Sequence, residues 1–256
     1  MKLGEKLLLF LSRSPNAPDL PRGLDPWNAT NALDLLHREL GDLETMVRGR
    51  TILDYGCGAG WQAVALAQAG AKYVFGLDTS IERIEAARVH ARNLGISSAI
   101  AAFGDTVPPD AAGTFDLVIS QNSFEHVDHP EGALQVMAAL AAPKGLVFMT
   151  FGPPWFAPYG AHMFFFTVLP WVNLWFSEST VMKVRSRFRS DGAQRYEEVE
   201  GGLNRMTVRR FERIVQSSGL TEVWKRYRCA KSLDLLGRIP VLRELFINHI
   251  SCLLAK

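Results

Sequence analysis

Two acids and three glycines carry the first sign of chemistry in this chain. The stretch "ILDYGCGAGW" (52–61) runs from apolar residues through Asp54 into Gly56, Gly58 and Gly60, and Asp78 ends the next apolar stretch 18 residues after the last of these glycines. Glycine costs backbone entropy wherever it sits, so three within five residues mark a turn whose path or ligand leaves no room for a Cβ. Gly56 permits the turn, Gly58 lets main-chain amides approach a ligand, and Gly60 allows the following helix to pack closely. A carboxylate at the end of the second strand accepts both hydroxyls of a ribose, so Asp78 implies a nucleoside. A dinucleotide site wants G-x-G-x-x-G, whereas this chain reads G-x-G-x-G with Trp61 in the last glycine's place. Asp54 would repel a pyrophosphate and favours a cation or an amino group, so the ligand should carry positive charge. The glycines alone also fit a tight strand-to-helix turn with no ligand, and the second acid weighs against that.

Candidate proton acceptors are few. His126 lies in the loop after the fourth apolar stretch, and His162 lies in a long aromatic segment beside Gly160; an imidazole there suits proton transfer near neutrality. The remaining histidines have plainer readings: His129 an exposed helix start, His37 and His90 helix surfaces, His249 part of a C-terminal strand.

The elements that must position these groups follow from the pattern of apolar residues. "TILDY" (51–55), "KYVFGLD" (72–78), "SAIAAFGD" (98–105), "FDLVISQ" (115–121) and "GLVFMTF" (145–151) read as strands covered on both faces, since they lack polar alternation. Helices are predicted between them over 62–69, 81–94 and 131–142, the last ended by Pro143 and the turn Lys144-Gly145. Strand and helix alternating in this way specify an α/β fold with a doubly wound, mostly parallel sheet. Ligands of such sheets bind beyond the carboxyl ends of the strands, where the glycine turn sits. A helix over 31–47, capped by Asn31 or Thr30, should precede the first strand and follow an arm rich in proline and glycine. The first residues, with their apolar patch Leu7 to Leu11, read as an amphipathic helix, too short for the core of a signal peptide. Near the C-terminus, 207–218 is a capped amphipathic helix, "LTEVWKRYRC" a sixth strand and "LFINHISCLLAK" a seventh. "LLGRIPVLRELF" between the last two fits either helix or loop.

Composition sets the outer bounds. The chain has 256 residues, 48% of them hydrophobic, enough for one large domain with an insertion. A formal net charge of +2 gives no global field toward nucleic acid. Cys57, Cys229 and Cys252 are odd in number and widely spaced, which argues against a disulfide framework or zinc site and suits a reducing cytoplasm. No metal site is expected. The longest apolar stretch, 163–176, is broken by Pro170 and Asn173 and falls short of the roughly 20 residues a membrane span needs.

With these residues in place, "DYGCGAG" followed by "GLD" resembles motif I and the following acid of the class I S-adenosylmethionine-dependent methyltransferases. "FGD" (103–105), "FDLVISQNSFEHVDHP" (115–130) and "APKGLVFMT" (142–150) are similar to the third, fourth and fifth strand regions of that family. The resemblance spans about residues 50–151 and is nearest to the small-molecule branch with the ubiquinone and menaquinone biosynthesis methyltransferases. It implies a Rossmann-like sheet of seven strands with the last antiparallel, S-adenosyl-L-methionine as cofactor, and a set of cofactor contacts. Asp54, Gly56, Cys57 and Gly58 would line the methionine end. Asp78 with Thr79 would take the ribose, and Gly104, Asp105 and Thr106 the adenine. Gln121 and Asn122 would border the transferred methyl. In this family "EHV" is also a loop-packing element, which is the plain reading of His126, and Cys57 occupies an ordinary variable position.

Residues 152–205 stand between the fifth strand and its usual helix, a length of chain that in this position forms a lid or docking element. They are expected to cover the acceptor side, as residues 1–50 are expected to cover the cofactor. Pro153 and Pro154 follow the fifth strand, whereas the Asn-Pro-Pro-aromatic motif of adenine amino methyltransferases follows the fourth, so that reading is rejected. The aromatics Phe164 to Phe166, Trp171, Trp175 and Phe176 suit core packing, an apolar acceptor or a membrane surface. The resulting expectation is methyl transfer, favouring an oxygen, to a small-molecule or lipid-linked acceptor, with His162 or His126 as catalytic base. The enzyme would be cytoplasmic, with peripheral membrane contact allowed and no obligate protein partner. Two other readings stand beside it: an RNA or protein methyltransferase, supported by the arginines at 185, 187, 189, 205, 209, 210 and 213, and a protein that binds the cofactor without turnover.

Overall fold

A computed structural model describes residues 1–12, 31–199, 201–240 and 242–256. Strands β1 (Thr51–Tyr55), β2 (Tyr73–Leu77), β3 (Ala101–Gly104), β4 (Phe115–Gln121), β5 (Ala141–Phe151), β6 (Thr221–Cys229) and β7 (Ile247–Ala255) form one sheet in the order β3-β2-β1-β4-β5-β7-β6. β1 to β5 run parallel, and β7 is antiparallel to both its neighbours. Because β7 reverses against β5 and β6 reverses again, the carboxyl end of β6 lies on the same edge as those of β1 to β5.

Strands buried on both faces need cover on both. On one face α2 (Asp34–Leu40), α3 (Leu43–Val47), α4 (Trp61–Gln68) and α5 (Ile81–Asn93) pack on Ile52, Val74, Leu117 and Phe148. On the other, α6 (Pro130–Leu140) and α9 (Val208–Ser217) pack on Leu53, Val118, Val147 and Cys252. Between β5 and α9 the chain carries α7 (Val172–Trp175) and α8 (Glu178–Arg185), and α10 (Arg243–Phe246) leads into β7. A third core joins α8 and its flanks to Leu8 of α1 (Leu3–Phe10), through Met163, Phe166, Val181, Met182 and Tyr196. Among the described residues no helix is long and apolar enough to cross a membrane.

Several boundaries differ from the sequence expectation. The helix expected over 31–47 is two helices, because Gly41 turns at φ 73 and Asp42 starts again by accepting the Thr45 N–H. Leu33, not Asn31, is the cap position of α2, and Thr30 falls outside the described residues, as does most of the arm. α6 stops at Leu140 rather than 142, since Ala142 precedes a proline and is steered out of the helical region, and β5 begins directly at Ala141. β3 is shorter than expected because residues 97–100 turn, with the Ile100 and Ala101 N–H groups both donating to the Ser97 carbonyl. The ambiguous stretch before β7 holds a 3-10 turn (Leu236–Arg238) and α10. α2 is tied to the sheet edge by Glu39, a buried carboxylate that accepts from Arg38 and from two nitrogens of Arg228 on β6.

Candidate active site

The glycine turn is fixed by backbone hydrogen bonds and by steric limits on side chains. The Gly56 and Cys57 N–H groups both donate to the Leu77 carbonyl, locking the exit of β1 to the end of β2. Gly60 starts α4 in the left-handed region (φ 76), and a Cβ there would sit 2.6 Å from the Ala87 Cβ and 2.9 Å from Phe103. Its role is close packing of α4 on α5. Gly58 has the opposite surroundings: φ is also positive at 53, but nothing lies within 4 Å of where its Cβ would be. One glycine makes room for protein and the other faces open space.

The acids frame that space. Asp78, just past β2, accepts the Gly58 N–H (2.8 Å) on one oxygen and the Ser80 N–H (2.9 Å) on the other. Asp54 lies on β1 behind the turn, wholly buried, and accepts 2.8 Å from Gln62 of α4 through Oδ1, while Oδ2 has no partner. Burial, only partly offset by Gln62 and reinforced by the Asp78 charge, pushes the Asp54 carboxyl up to about 7. An orphaned carboxylate oxygen in an apolar wall costs free energy until a cation or donor arrives. Cys57 turns its thiol into the core under Gly76, and burial raises its pKa, so its side chain is inert. Gly104 accepts from the Asp78 N–H, and Asp105, Thr106 and Thr79 are exposed around it at the edge. Gln121 ends β4 with a buried, unpartnered Oε1. Asn122, at φ 51, donates its N–H to the Thr150 carbonyl (2.9 Å) and joins the tip of β4 to β5.

The two histidines meet. Their rings stand edge to face with centroids 5.4 Å apart. His126 Nδ1 is 2.7 Å from the Gly202 carbonyl, which can only accept, so Nδ1 donates there. His162 sits at φ 54 with Nε2 3.5 Å from the Pro153 carbonyl, the outer limit of a hydrogen bond. Burial and then the facing His126 ring push His162 down to about 4. Beneath them Glu125 is buried, takes the Gly152 N–H on one oxygen and leaves the other unpartnered; burial raises its carboxyl against the opposing pull of His126. Glu125, Pro153, Trp155, Gly160, His162 and Arg205 are among the residues that line a small recess of about 10 Å³, no more than room for one water.

Loop 123–127 bridges the two halves. Ser123 donates to the Tyr55 carbonyl at 3.2 Å, and its side chain occupies the spot where a Cβ on Gly56 would fall. Asn204, far along the chain, latches the same loop by donating to the carbonyls of Phe124, Glu125 and Val127. Sequence reasoning missed Glu125, Ser123 and Asn204, although Glu125 beside His126, set between the apolar Phe124 and Val127, was a signal. Past Pro154 the chain folds back through a turn in which the Gly160 N–H donates to the Ala157 carbonyl, and the Trp155 N–H donates across to the Met206 carbonyl. Four of the seven arginines are paired with acids: Arg185 with Asp191, Arg205 with Glu178 and Glu197, Arg209 with Glu244 and Arg210 with Glu131.

A glycine turn after β1, an acid after β2, and a sheet ordered 3-2-1-4-5-7-6 with β7 reversed together define the class I S-adenosylmethionine-dependent methyltransferase fold. The model of the methyltransferase domain family matches residues 25–251, and the chain belongs to that family. A ubiquinone biosynthesis O-methyltransferase of Bordetella avium is 34% identical over 126 residues, 49% of this chain and 51% of the relative; the chain thus spans about half the length of the relative it matches. A solved S-adenosylmethionine-dependent methyltransferase from Mesorhizobium loti superposes with a TM-score of 0.57 at 17% identity, over 90% of this chain and 100% of its own. A [4+2]-cyclase superposes with 0.59 at 14% identity, over 99% and 93%. At such identities the structures speak for the fold alone.

Proposed function

We propose that this chain transfers the methyl group of S-adenosyl-L-methionine to an oxygen of a small-molecule or lipid-linked acceptor. The observation that carries the cofactor is Asp54: a buried carboxylate with one oxygen unpartnered, beside the open space over Gly58, suits the positively charged amino end of that molecule and no pyrophosphate. Asp78 accepts the ribose hydroxyls, with Thr79 beside it. Gly104, Asp105 and Thr106 hold the adenine; Gly56, Cys57 and Gly58 contribute main chain along the methionine end; Gln121 and Asn122 border the reacting carbon. Bound there, S-adenosylmethionine supplies a methyl group on a cationic sulfur. What the chain adds is alignment and a proton acceptor.

His162, neutral above a pKa of about 4, takes the proton from the acceptor O–H, and His126, held by Gly202, orients it. Glu125 holds the carboxyl end of β5 through Gly152 and so fixes the entrance to the recess. Residues 152–205 act as the acceptor-side cover, and α1 packs into that cover through Leu8. The name of the Bordetella relative supports oxygen as the atom methylated. The test is incubation with methyl-labelled S-adenosylmethionine and a panel of phenols and catechols bearing apolar side chains: formation of S-adenosylhomocysteine with labelled ether product supports the reading, and cofactor binding with no turnover over that panel contradicts it. The second outcome would favour cofactor binding without methyl transfer.

A further inference from the structure

α1 is apolar on both of its sides, yet only one side is covered. Inward, Leu8 is fully buried in the core of the 152–205 segment and Gly4 lies against Thr180 and Phe176. Outward, Leu3 is 83% exposed, Leu7 50% and Phe10 85%, recurring at i, i+4 and i+7 as one stripe. An exposed apolar stripe of this size on a helix that already buries its opposite side calls for a cover. The same segment adds Trp175, 70% exposed on α7. The other aromatics expected to make such a surface turn inward: Phe166 is in the core, with Phe165 and Phe176 packed against it.

Charge selects the cover. Lys2 and Lys6 on α1, with Lys183 and Arg187 from α8 and its end, are exposed, and the Arg187 guanidinium lies 3.0 Å from the Met1 sulfur. The nearby acids are partly withdrawn: Glu5 is half-buried and Glu178 is held by Arg205 and the Tyr196 N–H. A second copy of the chain would bring this basic stripe against itself. Exposed leucine, phenylalanine and tryptophan interleaved with lysine and arginine match the chemistry of an anionic bilayer surface, where apolar side chains enter the acyl boundary and cations meet headgroups.

We propose that α1, α7 and the end of α8 form a docking face for anionic membranes, which sets the acceptor cover against the lipid surface. This goes beyond the proposed methyl transfer and is read without it, because vesicle binding needs neither cofactor nor turnover. The experiment is flotation of the full chain with vesicles of equal parts phosphatidylglycerol and phosphatidylcholine, and with phosphatidylcholine alone. The wild type should float with the anionic vesicles at least about tenfold more strongly, an attraction that weakens with salt. Phe10→Glu should lose most of the binding, and Lys2→Ala with Lys6→Ala should lose the preference for anionic lipid. Both alterations are at exposed positions, and an unchanged melting temperature establishes that each variant is folded. Absence of flotation, or flotation unaltered by Phe10→Glu, overturns the proposal. So does a dimer in light scattering that Phe10→Glu dissociates, which would assign the stripe to a second copy.

Discussion

Asp54 and His162 are both ionisable groups drawn out of water at the same edge of the sheet, and they are held in opposite ways. Asp54 sits on β1 in the middle of the sheet, fixed by strand pairing on both sides and by Gln62. His162 sits in irregular chain, at positive φ, with one long contact to Pro153 and a histidine ring as its neighbour. Burial raises the first to about 7 and lowers the second to about 4, so each is pushed toward its neutral form. The cofactor end therefore depends on backbone geometry that the fold supplies, and the acceptor end on side chains that a grafted segment supplies. Substitutions should separate these two dependences.

The largest effect is expected at Asp78. Replacement by alanine removes the proposed ribose acceptor and also the partner of the Gly58 and Ser80 N–H groups, so the turn loosens as well. Calorimetry with S-adenosylhomocysteine should show affinity reduced by roughly two orders of magnitude or more. Gly58→Val should weaken binding comparably, since a β-branched residue resists φ 53 and its Cβ fills the open space. His162→Ala sharpens the contrast from the other side: turnover should drop by about 10²- to 10⁴-fold while cofactor affinity stays within about twofold. A parallel loss of both would mean that the two ends are not separable.

A smaller effect concerns pH. If cofactor binding needs Asp54 ionised, affinity should rise about tenfold between pH 6 and 8, flattening above a pKa near 7, and Asp54→Asn should abolish that slope along with part of the affinity. The smallest is on stability. His162 and His249 are both held down to about 4, chiefly by burial, so the unfolded chain takes up protons below about 6.5 that the folded chain refuses. The histidine contribution to stability should accordingly fall as pH is lowered from about 6.5 toward 4, by about 1 kcal/mol per histidine at pH 5.5, while the raised Asp54 carboxyl acts in the opposite sense over the same window. Urea midpoints at pH 7.5 and 5.5 read this, and His249→Gln should remove its share.

The same division explains what was legible in the sequence. Buried parallel strands are runs of apolar residues, so 51–55 and 115–121 could be bounded to the residue, and the glycine turn announced itself because Gly58 and Gly60 need conformations few other residues adopt. Gly41-Asp42 was an equally local signal, a left-handed turn followed by a cap, and was overlooked inside an apolar period. The 152–205 segment was legible only as a unit. α8 carries its own marks, Ser177 accepting the Thr180 N–H and Lys183 with Arg185 in the last turn, but the segment's packing on α1 joins residues over 150 positions apart. No local period encodes that. Likewise the His126–His162 pair and the Asn204 latch depend on two loops meeting, which residue types suggest and only the fold decides.

The central claim is that Gly58, Asp54 and Asp78 form a site for S-adenosylmethionine. Titration calorimetry of S-adenosylmethionine into the folded chain at pH 7.5 tests it directly. The account predicts one site per chain with a sub-millimolar dissociation constant, lost in Asp78→Ala and kept in His162→Ala. No binding by the wild type, or equal binding by wild type and Asp78→Ala, would contradict it.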